Sequence, residues 1–294
     1  MRAYLPSFEL RRAHSLTEAL SVLSSPPGTW RPLAGGTDVM VQLAAGTLSH
    51  QRFVSVWGIP ELRQIDIHDD AVRIGSLTTF TDVLRHPVLR AEFPLLGRAA
   101  EETGGIANQN RGTVGGNIAN ASPAADTPPA LLVYDAELEL ASTRGARRVP
   151  YHRFHTGYKQ MDLAADELIA AIWLPRRPHW VQHYRKVGPR LAQAISKVCF
   201  AAAALLHDGG VVDIRLAFGS VAPTVVRASK TEAILRGAAL GQSTIDVSVR
   251  TLDSELAPID DIRSTAGYRK RVAANLLVEF IETLQHAAGG RGSP

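Results

Sequence analysis

An α+β fold is predicted for this chain, on three observations. Short segments of alternating polarity, AELELAS and VVDIRLAF among them, read as half-exposed strands. Helix starts are marked at Ser15-Leu-Thr-Glu18 and Ser229-Lys-Thr-Glu232, each with the spacing of a capping box, and the chain closes on an apolar stripe of Tyr268, Val272, Leu276, Phe280 and Leu284. Two Gly-Gly segments, LAGGTDVM and RGTVGGNIANASPAAD, interrupt this patterning. Changes of texture near Pro60 and Pro178 divide the chain into residues 1–59, 60–177 and 178–288, with 289–294 a frayed tail.

In order, a short extended piece leads to a helix through Ala19, Leu20 and Leu23 that Pro26, Pro27 and Gly28 end. Trp30 to Ala34 reads as a strand running into Gly35-Gly36-Thr37-Asp38. Val39, Met40, Leu43 and Ala44 then fall at helical spacing until Gly46, which places Thr37 or Asp38 at a helix N-terminus. FVSVW, LRQIDI and AVRIGSLTT follow as strands. Thr81-Asp-Val-Leu starts a short helix and Pro94 another, whose Leu95, Leu96, Ala99 and Ala100 form a stripe ending at Gly104-Gly105. Past the second glycine segment, Pro128 and Pro129 suit a helix start with Asp126 or Thr127 as its cap. AELELAS is then a half-exposed strand, and ELIAAIWLP, from Glu167 to Pro175, a deeply buried one. The last third reads as an antiparallel meander: HYRKVG, Ser196 to Leu206, and, past a HDGG turn, alternating Val212, Ile214, Leu216 and Phe218. The final helix, its stripe widened by Leu277 and Ile281, covers that meander.

With 294 residues, 45% hydrophobic and 20% charged, the chain can build two or three cores without a staple. The net charge of +4, from 32 Lys and Arg against 28 Asp and Glu, is spread along the sequence, so no nucleic-acid arm is expected. A single cysteine, Cys199, excludes an internal disulfide and a Cys-ligated zinc site or iron–sulfur cluster held by this chain alone. The N-terminus lacks an apolar signal region, and the longest apolar run, Val198 to Leu206, is far shorter than the ~18 residues of a membrane span, so a cytoplasmic location is expected.

The chain is organised around Arg111 to Asp126, in which only Val114 and Ile118 are large and apolar. Such a segment is expected outside the core, with Gly115 and Gly116 free to take positive φ and aim successive N–H groups at an anion. Thr113, Asn117, Asn120 and Ser122 add donors and acceptors. A Gly-rich hairpin or loop accounts for Gly-Gly alone. The full string, with a helix start just after Gly36 upstream, tips the reading toward a phosphate-bearing ligand. Routine capping by Thr37, Asp38 or Asp126 stays open beside it. Neither the Rossmann fingerprint nor the P-loop motif occurs. His152 with His155, and His179 with His183, have spacings a metal could use but no carboxylate or cysteine companion, and read as exposed structural residues. Ser122 and Ser220 lack a nucleophile-elbow context.

Taken together, LAGGTDVM, NRGTVGGNIANASPAADTPPALL, GYKQMDLAADELIAAIWLP, YRKVGPRLAQAISKV and STAGYRKRVAANLL resemble the FAD-binding medium subunit of the molybdenum hydroxylases, over nearly the whole chain. That group includes xanthine dehydrogenase and aerobic carbon monoxide dehydrogenase. The resemblance implies a two-part FAD-binding module of the p-cresol methylhydroxylase type, followed by a small C-terminal α+β domain of antiparallel sheet and helices. It implies non-covalent FAD, with Ala34, Gly35, Gly36, Thr37 and Asp38 along the pyrophosphate and Val39 beside them. Thr113, Gly116, Asn117, Asn120 and Asp126 would surround the flavin and its sugar-like chain, Ile169 and Lys186 would contact the cofactor, and Ile195 would lie near the ring. The implied role is electron transfer from a partner iron–sulfur small subunit to an external acceptor. Substrate would be hydroxylated in a molybdopterin large subunit, the whole forming a dimer of heterotrimers. YHRFHTGYKQ and Pro189-Arg190-Leu191 depart from the family pattern near the flavin's exposed edge. The alternatives are a stand-alone FAD-dependent oxidoreductase acting on its own substrate and a non-enzymatic nucleotide-binding scaffold.

Overall fold

The computed structural model describes residues 7–177, 179–190 and 193–289. Pro178, Leu191 and the tail past residue 289 lie outside the described residues.

Three parallel strands open the chain: β1 (Glu9–Arg12), β2 (Arg31–Leu33) and β3 (Arg52–Ser55), in the order β1-β3-β2. Parallel neighbours need crossovers, and α1 (Leu16–Leu23) and α2 (Thr37–Ala44) supply them. Ser15 caps α1 by accepting the Glu18 N–H at 3.2 Å, while the Glu18 carboxylate reaches past Ser15 to the His14 N–H at 2.7 Å, so the box closes one residue early. Ala19, Leu20 and Leu23 pack with Trp30 and Val54 in a first core.

The second sheet is antiparallel throughout, in the order β4-β5-β10-β6-β7. Its strands are β4 (Ile65–Ile67), β5 (Ala71–Gly75), β6 (Glu137–Ser142), β7 (Gly145–Pro150) and β10 (Leu168–Pro175). The continuously apolar β10 sits in the middle, as burial on both faces requires. Between β5 and β6 run α3 (Phe80–Arg85), α4 (Pro87–Glu92), α5 (Pro94–Glu102), α6 (Ile106–Gln109), α7 (Val114–Ala119) and α8 (Thr127–Val133). The first of these starts one residue earlier than Thr81, because Thr79 and Asp82 form a true capping box. A hairpin of β8 (His155–Gly157) and β9 (Gln160–Met161) stands apart from the sheet.

The meander is present as β11 (Val181–Val187), β12 (Val198–His207), β13 (Gly210–Gly219) and β14 (Val226–Arg227), each antiparallel to the next. A bulge at Leu205/Leu206 shifts the register, so Val211 faces in and Val212 is exposed, contrary to plain alternation. On β12, Phe200, Ala202 and Ala204 pack under the last helix, whereas Ala201 and Ala203 join the core of the preceding module. Those alanines let α8 approach the sheet closely. After β14 come α9 (Ser229–Leu235), α10 (Gln242–Glu255) and α11 (Ala266–Gly289). Leu276, Leu277, Phe280, Ile281 and Leu284 of α11 are buried and Tyr268 is exposed. The expected box at Ser229 does not form: Glu232 instead accepts the Leu216 N–H at 2.7 Å and pairs with Arg227. The α9 amides of Lys230 and Thr231 are capped by Glu255 of α10, at 2.9 and 3.0 Å.

Candidate functional site

The two glycine segments lie against each other. A Cβ placed on Gly35 would fall 1.7 Å from the Arg111 carbonyl oxygen, so only glycine lets these two backbones touch. Arg111 is further held by its side chain, stacked 3.9 Å over the Trp57 ring. Gly36 has φ +78° and ends the turn into α2. Since no side chain caps α2, the first-turn N–H groups of Thr37, Asp38 and Val39 have no protein partner among the described residues, and the positive end of the helix dipole adds to them. Asp38 is occupied with Gln42 of the same helix.

The second segment differs from expectation. Gly115 and Gly116 lie inside α7 without positive φ, and Thr113, Val114 and Ile118 are buried, so the segment is part of the core. Its amides are spent internally: Val114 N–H on the Thr78 carbonyl at 3.0 Å, Gly115 N–H on the Ser76 carbonyl at 2.9 Å, and Gly116 N–H on the Thr113 hydroxyl at 3.0 Å. Glycine is needed at 115 for closeness, because a Cβ there would meet the Ser76 Cβ at 2.5 Å. At Gly116 it would meet the Thr113 hydroxyl at 2.8 Å and Ala34 of the first segment at 4.0 Å. Of the two helix starts, only that of α2 keeps its first-turn amides without a protein partner among the described residues.

Past α7, Asn117 Oδ1 accepts the Thr127 hydroxyl at 2.5 Å. Asn120 receives the Lys159 ammonium on its carbonyl at 2.5 Å and on Oδ1 at 2.7 Å. Asp126 precedes α8 but does not cap it with its side chain. Its Oδ2 accepts the Lys186 ammonium at 2.8 Å, and that ammonium also donates to the Glu102 carbonyl at 2.8 Å. The Asp126 Oδ1 is buried and has no partner among the described residues. Burial pushes the Asp126 carboxyl up to about 6, with the Lys186 charge opposing. Tyr184 donates to the Asp126 carbonyl at 3.1 Å, and the buried Cys199 thiol donates to Tyr184 at 3.2 Å. Lys186, Tyr184 and Cys199 come from β11 and β12, so the C-terminal sheet completes a site begun by the preceding module.

Of the residues picked from the sequence, Ala34 to Val39 and Thr113 to Asn120 are thus brought together, and Asp126 meets Lys186. Ile169 is 4% exposed, within the core below α7; a bulge beside it turns the Ala170 carbonyl to the Ser76 N–H at 2.9 Å. Ile195, in contrast, is 51% exposed on the segment after β11, near Gly188. His152 and His179 are exposed, but His155 and His183 are half-buried, contrary to the reading of all four as exposed. His155 sits 3.0 Å from the Ile118 carbonyl at the end of α7. Among the described residues, no group of three His, Cys, Asp or Glu side chains could hold a metal, and no helix is long and apolar enough to cross a membrane. Lys159 and Tyr184 were not picked from the sequence; each is revealed only by tertiary contact.

Residues 6–177 match the family model described as FAD binding domain in molybdopterin dehydrogenase, and residues 182–284 match CO dehydrogenase flavoprotein C-terminal domain. The chain is 34% identical over 283 residues to the xanthine dehydrogenase FAD-binding subunit of Escherichia coli O157:H7, spanning 95% of this chain and 97% of that one. It is 32% identical over 277 residues to the glyceraldehyde dehydrogenase medium chain of Sulfolobus acidocaldarius, spanning 94% and 98%. Its fold matches a chain of the carbon monoxide dehydrogenase from Hydrogenophaga pseudoflava lacking the Mo-pyranopterin moiety, with a TM-score of 0.91 and 27% identity, over 99% of this chain and 100% of that one.

Proposed function

Because the chain belongs to the FAD-binding medium subunits of the molybdenum hydroxylases, and so is the flavin subunit of a multi-subunit oxidoreductase, we propose that it holds one FAD non-covalently across the two glycine segments. Bound there, FAD supplies the exchange of one or two electrons. The chain contributes binding and orientation. The free α2 amides of Thr37, Asp38 and Val39 suit a diphosphate, and the buried, unpartnered Asp126 Oδ1 suits a ligand hydroxyl. Asn117 and Asn120 add polar lining between them, and Lys186 holds Asp126 in place. Lys186 then acts on the cofactor mainly through Asp126, since its ammonium is already committed to two protein oxygens. The observation that carries the reading is this pairing of unspent amides at one end with an orphaned carboxylate oxygen at the other.

The partners in this proposal are an iron–sulfur small subunit and a molybdopterin large subunit, assembled in the cytoplasm as a dimer of heterotrimers. The one cysteine of the chain is fully buried, so the clusters that feed the flavin reside in a partner. Residues 1–59 and 60–177 form the FAD module in this reading and 178–288 the C-terminal domain. Acid precipitation of the purified chain should release yellow flavin into the supernatant; colour retained in the pellet would refute non-covalent attachment. A chain that takes up no FAD on reconstitution would refute the binding itself. Co-expression with its partners should yield a complex carrying iron, molybdenum and FAD, and substrate-dependent turnover by this polypeptide alone would overturn the electron-transfer role.

A further inference from the structure

The β8–β9 hairpin carries a residue the FAD reading does not use. Its two-residue tip is Tyr158-Lys159, with Gly157 paired to Gln160. Lys159 has φ +57°, the left-handed region that favours glycine at this turn position. A lysine kept there against that preference points to a use for its side chain. The hairpin is fixed against the end of α7, through His155 on the Ile118 carbonyl and through the Lys159 ammonium on two oxygens of Asn120. An ammonium has three donors, and two go to Asn120. The charge of Asp38, in the first turn of α2, also acts on Lys159. The cation is therefore pinned at the C-cap of α7, within the second glycine segment, and is coupled electrostatically to the helix start that offers the free amides.

We propose that Lys159 is a further binding residue for the cofactor, a tethered cation that completes the diphosphate site by facing the two phosphate charges across from the α2 amides. This inference rests on the FAD reading above. Asn120 is then the bracket that positions the ammonium, and a direct contact with the cofactor is secondary to that role.

The test compares Lys159→Gly, Lys159→Arg and the wild-type full chain by two readouts, FAD affinity from flavin fluorescence at low and high salt, and melting of the FAD-free chain. Lys159→Gly should bind FAD about 5- to 30-fold more weakly, with a shallower salt dependence, because a charge-assisted contact is lost. Its melting temperature should stay within about 3 °C of wild type, because glycine relieves the left-handed strain. Lys159→Arg should recover most of the affinity and the salt dependence. Wild-type affinity and salt dependence retained in Lys159→Gly would overturn the proposal, as would a weakened affinity that Lys159→Arg does not restore. Absence of FAD binding by the wild type would instead refute the FAD reading itself.

Discussion

Gly35-Gly36 and Gly115-Gly116 are the same dipeptide, each beside the start of a short helix, yet they do opposite work. In the first pair, Gly36 turns through the left-handed region and leaves α2 without a side-chain cap, so its amides face outward unspent. In the second, both glycines are ordinary helical residues, and each early amide of α7 is bonded inward to Thr78, Ser76 or Thr113. One pair leaves helix amides unspent by conformation, the surface proposed to bind the diphosphate; the other allows a helix to sink into the core by lacking a side chain. The difference teaches that a glycine pair in sequence reports a need for missing Cβ atoms and leaves open whether a ligand or a neighbouring backbone fills the space.

The contrast can be tested by asking which variants register in the stability of the FAD-free chain and which in FAD affinity. The largest effect is expected at the end of the second segment. Asp126→Ala leaves the Lys186 ammonium, only 5% exposed, beside no carboxylate, and should lower stability by about 3–5 kcal/mol in chemical denaturation. Asp126→Asn should cost less in both stability and FAD affinity, since it keeps a hydrogen-bonding oxygen. Wild-type stability and affinity in both variants would show that the pair with Lys186 carries little.

Gly35→Ala comes next, since its Cβ would overlap the Arg111 carbonyl where the segments meet. Stability should fall by at least about 3 kcal/mol and FAD affinity with it, because backbone cannot move aside as a side chain can. A variant that melts normally would mean that the two segments are free to part.

Asp126 also predicts a pH dependence. Its carboxyl is raised on folding from 3.8 to about 6, so the stability it contributes is fully present below the unfolded value and is lost as pH rises through about 6. Comparing melting curves of the FAD-free wild type and Asp126→Asn across that window should isolate a contribution on the order of 2–3 kcal/mol. Parallel curves would remove Asp126 from the account.

The smallest effects separate the glycines most sharply. Gly115→Ala, crowding Ser76, should destabilise the chain by about 2 kcal/mol. Gly36→Ala meets no atom closer than 3.8 Å and should cost only about 1 kcal/mol from its positive φ, while weakening FAD by turning the α2 amides away. If Gly115→Ala lowers FAD affinity at unchanged stability, the assignment of the two pairs is reversed.

Much of the fold was legible in the chain. β10 was readable as deeply buried because no polar residue interrupts Leu168 to Leu174, and α11 as a helix because its stripe recurs every four residues from Tyr268 to Leu284. The hairpin β8–β9 and the helix α10 were not read, the first because its turn relies on a non-glycine residue at positive φ, the second because its stripe is weak. Local capping signals were ambiguous for a physical reason. Ser229-Lys-Thr-Glu232 has the right spacing, but Glu232 gains more from the buried Leu216 amide and Arg227 than from its own helix start. The uncapped start of α2 was legible because it depends only on neighbours in sequence. The Asp126–Lys186 pair was not read: the resemblance put each residue on the cofactor, and the two meet only because α8, which Asp126 precedes, packs against the C-terminal sheet that carries Lys186.

That last pairing has a consequence for how the protein is made. Lys186 follows Asp126 by 60 residues, so on a ribosome adding about 5–20 residues per second the ammonium is synthesised some ~3–12 s after the carboxylate it neutralises. During that interval the nascent N-terminal module has both glycine segments but lacks the β11 strand that closes over Asp126. In the FAD reading proposed above, tight capture of the cofactor is thereby deferred until the C-terminal sheet has docked, and flavin loading becomes a late event in biogenesis and a report that β11 is in place.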